Sequence, residues 1–385
     1  VPTLLSERPA CTLLSSPEQW HEPEIQEAWE RLLAAGDPLG AVYRSPGWFD
    51  HMNAPDAVPR SRLAVLRGPG GRIDGIVPLE ERRVPIELYA GGRALTAAHV
   101  RVVDVLGGQP LVADDPVVYD ALLSAATEAF PDCRGIRLAD IPSDGPLFKH
   151  LTESAAVRER FLVCVFDGLA PYQTLPLPAT FADYLAHFPR KKRYNLKRQE
   201  RLLREHGNGQ LELRRWDSPD DVPGLLKHLA ALGGGARHDA AAWGGGTPSW
   251  FTDLAARNIL RCYTLVCGEK PAAAMVGFQC GATYTIDTTL YDRRLARLSP
   301  GSTMTHLALE DLLTHRPVRL VDFGYGNPSH NQQPPRVPRS FAKVFLLRPT
   351  LPNRVRWAAI RAARATMRLV GGRFRRVFER DKVGE

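Results

Sequence analysis

Three arginines, Arg293, Arg294 and Arg297, stand just ahead of Ser299-Pro300-Gly301-Ser302. Serine followed by proline is a helix-start signal, and the first turn of a helix carries backbone N–H groups without partners. Those donors, the positive end of the helix dipole and the guanidinium charges all favour an anion. The chemistry expected here is the gripping of a phosphate or a similar group. An ordinary strand–helix–strand unit with a solvated basic loop fits the same residues. A second basic set, Arg190, Arg193, Lys197, Arg201 and Arg204, recurs at helical spacing on one face of PRKKRYNLKRQERLLREHG. It reads either as a ridge facing a phosphate or a carrier, or as a solvated face with Glu200 and Glu205 as local partners.

The elements that must position the first set are legible around it. Tyr284, Ile286, Thr288 and Leu290 alternate with Thr285, Asp287, Thr289 and Tyr291, a strand pattern. After the basic loop, Met304, Leu307, Ala308 and Leu312 form the apolar stripe of a helix. Val318 to Phe323 returns as a short strand before Gly324 and Gly326.

With 385 residues, 44% hydrophobic and 24% charged, the chain has a globular composition and a length that suggests two domains. No run of about 18 apolar residues offers a membrane span, and the N-terminus lacks the pattern of a signal peptide. The six cysteines are scattered without a CxxC pair, which points to a cytoplasmic protein without disulfides or structural zinc; no metal is expected. The net charge of +8 is concentrated in 190–204 and 348–380. It suits an anionic partner: coenzyme phosphates, an acidic carrier protein, RNA or anionic lipid.

In chain order, Glu18 to Ala35 reads as a helix and Val42 to Met52 as a turn and short helix. A hairpin spans Leu63 to Val84, and extended chain follows from Ile86 to Thr96. A Gly107-Gly108 loop precedes a helix from Pro116 to Ala129, and Ile136 to Ile141 is a strand. This order coarsely copies that of the later half. Phe161 to Phe166 is a strand, and Pro171 to Pro178 a proline-punctuated connector that marks the domain boundary. Helices are expected over Phe181–His187, Arg190–His206, Asp217–Leu232 and Ser249–Asn258, with strands at Leu211–Trp216, Leu260–Cys267 and Ala272–Cys280. Gly233 to Thr247 reads as a substrate-covering loop or a plain linker. From Val355 the tail reads as a basic amphipathic helix, which can lie on a membrane, grip an acidic protein or pack on its own domain.

This order of helix, strands, anion-binding turn, helix and strand resembles the GCN5-related N-acetyltransferase (GNAT) fold, and within it the CelD-like, Fem-related branch. Three stretches carry the likeness: the basic-helix segment 171–207, GEKPAAAMVGFQCGATYTIDTTLYDRRLARLSPGS, and VRLVDFGYG. The resemblance implies a mixed α/β protein of two tandem GNAT-like units, each a mostly antiparallel mixed sheet flanked by helices. The expected domains are 1–168, degenerate, then 169–348 with the acyl-donor site, then the basic helix 349–385. It also implies acyl transfer from a thioester, on coenzyme A or the phosphopantetheine of a carrier protein, to an amine on a small molecule or peptide. By position, the pantetheine would run along Thr285, Thr289 and Tyr291. The pyrophosphate would meet Arg293, Arg294, Arg297, Ser299, Gly301, Ser302 and Thr303. Two departures stand out. The turn has one glycine and a proline without N–H, and Asn327 to Gln333 replaces the family's Tyr-Lys pair.

Such a reaction needs a neutral amine, a polarised carbonyl and a proton for the departing thiolate. Asp287, His306, Asp322, Tyr325 and His330 are the candidates. Asp322 has the best position, at the carboxyl end of a strand, and also suits a structural cap on backbone N–H groups. Tyr325 is placed to protonate the thiolate, and His306 falls beside an apolar stripe. Two other readings compete: a Fem-like transferase that draws on aminoacyl-tRNA, and a non-catalytic adaptor acting through its tail.

Overall fold

The computed structural model describes residues 9–54, 61–90, 93–233, 248–316, 318–325 and 337–362. The chain starts with β1 (Ala10–Leu14), α1 (Pro17–Trp20), α2 (Pro23–Ala35) and α3 (Pro46–Met52). Strands β2 (Arg62–Arg67), β3 (Ile73–Ala90), β4 (Arg93–Val105) and β5 (Leu111–Val112) lead to α4 (Pro116–Ala129) and β6 (Gly135–Pro142). Then come α5 (Pro146–Glu153), α6 (Ala155–Arg160), β7 (Leu162–Pro176), α7 (Phe181–Ala186), α8 (Arg190–His206) and β8 (Leu211–Trp216). The last part holds α9 (Val222–Gly233), α10 (Pro248–Ala256), β9 (Cys262–Cys267), β10 (Lys270–Cys280), β11 (Thr283–Tyr291), α11 (Pro300–His315), β12 (Leu320–Tyr325) and β13 (Val337–Leu347). A helix over 351–362 follows.

These elements form two compact units. The first comprises Val1–Ala28, Pro59–Leu169 and Phe341–Glu385, the second Trp29–Val58 and Ala170–Ser340. In the first unit β1, β2, β3 and β4 are successive antiparallel neighbours. β4 pairs β6 in parallel, and β6 pairs β13 antiparallel. Its core lies between this sheet and α4, α5 and α6, around Leu122, Leu138, Leu151 and Val344. Ile360, on the helix that starts at 351, is buried in a smaller cluster with Val84, Phe166 and Phe345. That helix packs on its own unit through Trp357 and Ile360, while Leu351 and Val355 are exposed; the tail from 363 lies outside the described residues.

In the second unit β8, β9, β10 and β11 are antiparallel neighbours, β11 pairs β12 in parallel, and β12 pairs the end of β7 antiparallel. Because side chains alternate along a strand, this sheet buries both faces. Tyr263, Met275 and Val321 join α7, α8 and α11 on one side. Cys262, Val276 and Phe278 join α9 and α10 on the other. Each unit thus has antiparallel strands, then one parallel pair joined through one main helix, α4 or α11. A parallel pair needs such a crossover. The fold class is the mixed α/β arrangement expected from the sequence.

Three local expectations are corrected. The helix expected over Glu18–Ala35 breaks at His21–Glu22, because Pro23 pushes the residue before it out of helical geometry and starts α2 instead. The expected connector at Pro171–Pro178 is largely strand: β7 runs on to Pro176, with Thr174, Leu175 and Pro176 paired to β12. Tertiary pairing overrode the proline signal there. Finally, the period-2 pattern of β11 does not keep one face. Val276 pairs Thr288 while Gly277 pairs Ile286, so Asp287 is the extra residue of a β-bulge. Tyr284 and Ile286 belong to one core, and Leu290 to the core on the opposite face.

Candidate active site

The parallel ladder between β11 and β12 is three pairs long and ends at Thr285–Asp322. Beyond it β11 continues to Tyr291 and β12 to Tyr325. The strands therefore part, and the edge of β11 over 286–291 has no strand beside it on that side among the described residues. Extended backbone left open in this way presents N–H and C=O groups to a ligand.

Thr285, Asp322 and Thr174 lie opposite one another across β11, β12 and β7, and so share a face. Thr285 is 3% exposed, and its Oγ1 has no hydrogen-bond partner. Asp322 is fully buried. Its Oδ1 accepts from Gly324 N at 2.8 Å, and its Oδ2 accepts from Tyr172 Oη at 2.9 Å and Gly40 N at 3.1 Å. Desolvation raises the Asp322 pKa, and the three hydrogen bonds oppose that rise. Gly40 is in the left-handed region at φ 65°, as the tight turn after Pro38 requires. The same turn is fixed by Arg44, which is 1% exposed and donates to the carbonyls of Asp37 and Leu39, and by an ion pair between Asp37 and Arg339.

Tyr325, at the end of β12, is 49% exposed and packs edge-on against Tyr172, with ring centroids 5.1 Å apart. Asp322 and Tyr325 are thus brought together through Tyr172. Asp287 is exposed at its bulge, yet neighbouring atoms strip enough water from its carboxyl to raise the pKa. His306 stands apart. It packs against Phe181 and Tyr184, its Nδ1 is buried without a partner, and burial pulls its pKa down to about 4. His330 lies outside the described residues.

The basic turn follows β11. Asp292 accepts from Arg294 N and pairs with its guanidinium at 2.7 Å, so that arginine is held by its neighbour. Arg293 and Arg297 are exposed. Ser299 takes a left-handed conformation at φ 57°, and its side chain makes no capping bond. Gly301, Ser302 and Thr303 form the first turn of α11, where the helix dipole favours an anion. A Cβ on Gly301 would meet only the Tyr291 ring, at 3.7 Å, so that tyrosine borders the helix start. Thr289 and Tyr291 pair Met275 and Ala273, and therefore face the α11 side, opposite to Thr285. α8 packs on α11 and on the basic turn. This brings both basic clusters to one side of the sheet.

Several residues of this site escaped the sequence reading. Tyr172 sits among prolines that masked its strand. Gly40 and Arg44 come from a segment remote in sequence. Gln173 is 1% exposed with both side-chain amide atoms unpartnered, opposite the irregular Phe323–Gly324 stretch of β12. Its signal, a glutamine in an apolar strand, was too weak to stand out. Among the described residues no group of three His, Cys, Asp or Glu is placed to hold a metal ion.

A short parallel pair that splays beside a crossover helix with an anion-favouring start is the arrangement of a GNAT-type acyltransferase domain. Residues 190–331 match the family described as acetyltransferase (GNAT) domain, so the chain carries that domain and with it the acyltransferase class. Among solved structures, FemX aligns with a TM-score of 0.57 at 10% identity, covering 85% of this chain and 96% of that one; the likeness is one of fold. A tandem GNAT protein from the clavulanic acid biosynthesis pathway has a TM-score of 0.48 at 17% identity, covering 89% of this chain and 100% of that one. The L-PGS of Bacillus licheniformis has a TM-score of 0.48 at 14% identity, covering 91% and 96%. A search of curated proteins finds no match.

Proposed function

We propose that the chain is an N-acyltransferase that moves an acyl group from a thioester, on coenzyme A or an acyl carrier protein, to an amine. The observation that carries this reading is the open edge of β11 where it parts from β12, leading to the start of α11. In this reading the donor site belongs to the second domain, 169–348. The pantetheine chain lies along 286–291, and the orphaned Thr285 hydroxyl gains a partner at the base of the opening. The pyrophosphate meets Ser299, Gly301, Ser302 and Thr303, with Arg293 and Arg297 adding charge. Pro300 removes one N–H from that cradle, and the exposed positive face of α8 offsets the loss.

The thioester carbonyl is the electrophile. The neutral amine nitrogen forms the new C–N bond as the C–S bond breaks; the nitrogen sheds its extra proton to solvent, and the thiolate takes a proton. Tyr325, exposed at the mouth of the opening, is the group assigned to give it. Both Asp322 oxygens already accept hydrogen bonds, so its task is to position Tyr172, and through that ring Tyr325. His306, enclosed by aromatic rings, is a packing residue.

Thermal unfolding with acetyl-CoA, long-chain acyl-CoA, an acyl carrier protein and an aminoacyl-tRNA tests this. Ligand held at about 100 Kd stabilises by about 2.7 kcal/mol. Stabilisation by acyl-CoA or carrier protein supports the proposal. A shift with aminoacyl-tRNA alone selects the Fem-like alternative, which the FemX-like fold and the basic α8 favour. No shift with any of the four removes the catalytic reading and leaves the adaptor.

A further inference from the structure

On the β10 face opposite α11, the second unit holds a polar group that the donor reading does not use. His51, on α3, is 5% exposed, and its Nδ1 lies 2.6 Å from Asp253 Oδ2 on α10. A carboxylate at that distance accepts a hydrogen bond from Nδ1–H, which leaves Nε2 of the neutral ring as a lone-pair acceptor. Nε2 is buried without a partner. Arg257 donates to Asp253 at 2.9 Å and to Asp50 at 3.3 Å, one cation between two carboxylates. Burial lowers the His51 pKa, against the pull of Asp253, so the ring is neutral at neutral pH.

The walls beside this ring are aromatic. Trp250 and Trp48 have centroids 5.2 Å and 5.9 Å from His51, and the two indoles meet at 90°. Phe278 lies 5.2 Å from Trp48 and 6.0 Å from Trp250. Both indoles are only half-buried, so their outer sides meet solvent. Phe278 pairs Thr285 across the β10–β11 ladder, which places the cluster one strand from the point where β11 and β12 part.

We infer that this niche recognises the acceptor by a protonated amino group distinct from the neutral nitrogen that is acylated, with His51 Nε2 accepting a hydrogen bond from its N–H and the indoles flanking its charge. A cation over an aromatic face is attracted by the ring quadrupole, while a buried acceptor without a donor costs free energy that an N–H removes. An alcohol brings a donor without the charge, and a quaternary ammonium brings the charge without the donor. The ligand class that satisfies both features is a primary or secondary ammonium. The inference rests on the acyltransfer reading only in calling the molecule that bears this amino group the acceptor.

Benzylamine, benzyl alcohol and benzyltrimethylammonium are the probes, followed on the wild-type chain at pH 7 by indole fluorescence and by the His51 imidazole nitrogen resonances. Benzylamine is expected to bind saturably and to move the Nε2 resonance, with the other two at least about tenfold weaker. His51→Gln is expected to lose about tenfold for benzylamine while acetyl-CoA still raises its melting temperature as in wild type. A protonated Nε2 in the free protein overturns the inference. So does equal binding of benzyltrimethylammonium, or an Nε2 resonance that benzylamine leaves unmoved, as a niche filled by ordered water would give. Failure of acetyl-CoA, long-chain acyl-CoA, acyl carrier protein and aminoacyl-tRNA alike to bind, beside a successful benzylamine titration, overturns the acyltransfer reading alone; a donor that binds beside a failed benzylamine titration overturns the niche alone.

Discussion

At the scale of single residues, Thr285 sets stability against binding. Its hydroxyl is buried without a partner, and such a group costs about 1–3 kcal/mol. Thr285→Val keeps the β-branched shape and removes that cost, so urea unfolding should show a gain of about 1 kcal/mol or more. Acetyl-CoA affinity, read by calorimetry, should fall in the same variant. A variant that gains stability without losing affinity would remove Thr285 from the donor site. His306 gives a pH signature. Its folded pKa of about 4 lies below the ordinary histidine value of 6.5, so between these values the unfolded chain binds more protons. Stability therefore falls as pH drops from about 6.5 to about 4 and is level on either side as far as this group decides it. In His306→Leu, urea unfolding across that window should show a shallower slope.

At the scale of elements, β10 and the start of α11 each carry a special backbone position. A Cβ on Gly277 would sit 2.2 Å from Tyr284 Oη and 2.5 Å from its Cζ. Gly277→Ala should cost about 1–3 kcal/mol in chemical unfolding, and adding Tyr284→Phe should not restore it, because the ring carbon stays in the way. Rescue by that second change would mean the hydroxyl alone made the conflict. Ser299 holds the left-handed conformation that glycine adopts freely. Ser299→Gly should stabilise by up to about 1 kcal/mol in urea unfolding. Most elements were legible in the sequence because periodicity and capping act locally: Pro300 at the start of α11 and the apolar stripe of that helix needed no distant partner. The Asp287 bulge was not legible, since it is set by the neighbouring strand. The Tyr172–Asp322–Gly40 contact was equally hidden, since it joins three segments remote in sequence. The His51–Asp253 pair, 202 positions apart, belongs to the same hidden class.

At the scale of the whole molecule, the second unit is built from two separate stretches, Trp29–Val58 and Ala170–Ser340. A fragment of 169–348 alone lacks the Gly40 N–H that Asp322 accepts, and it lacks Val42 from its core. It should melt without a cooperative transition in circular dichroism. Joining 29–58 to it through a flexible linker should restore one. A cooperative melt of the short fragment would show that the early stretch is dispensable. The interrupted order also sets a timetable for synthesis. From Val58 to Ala170 the ribosome adds 170 − 58 = 112 residues, roughly 6–22 s at ~5–20 residues per second. For that interval Trp29, Val42 and Phe49, all buried in the finished protein, wait for a sheet that has not yet been made. Chaperones that shelter short apolar segments at the ribosomal exit are thus expected to raise its yield in cell-free synthesis.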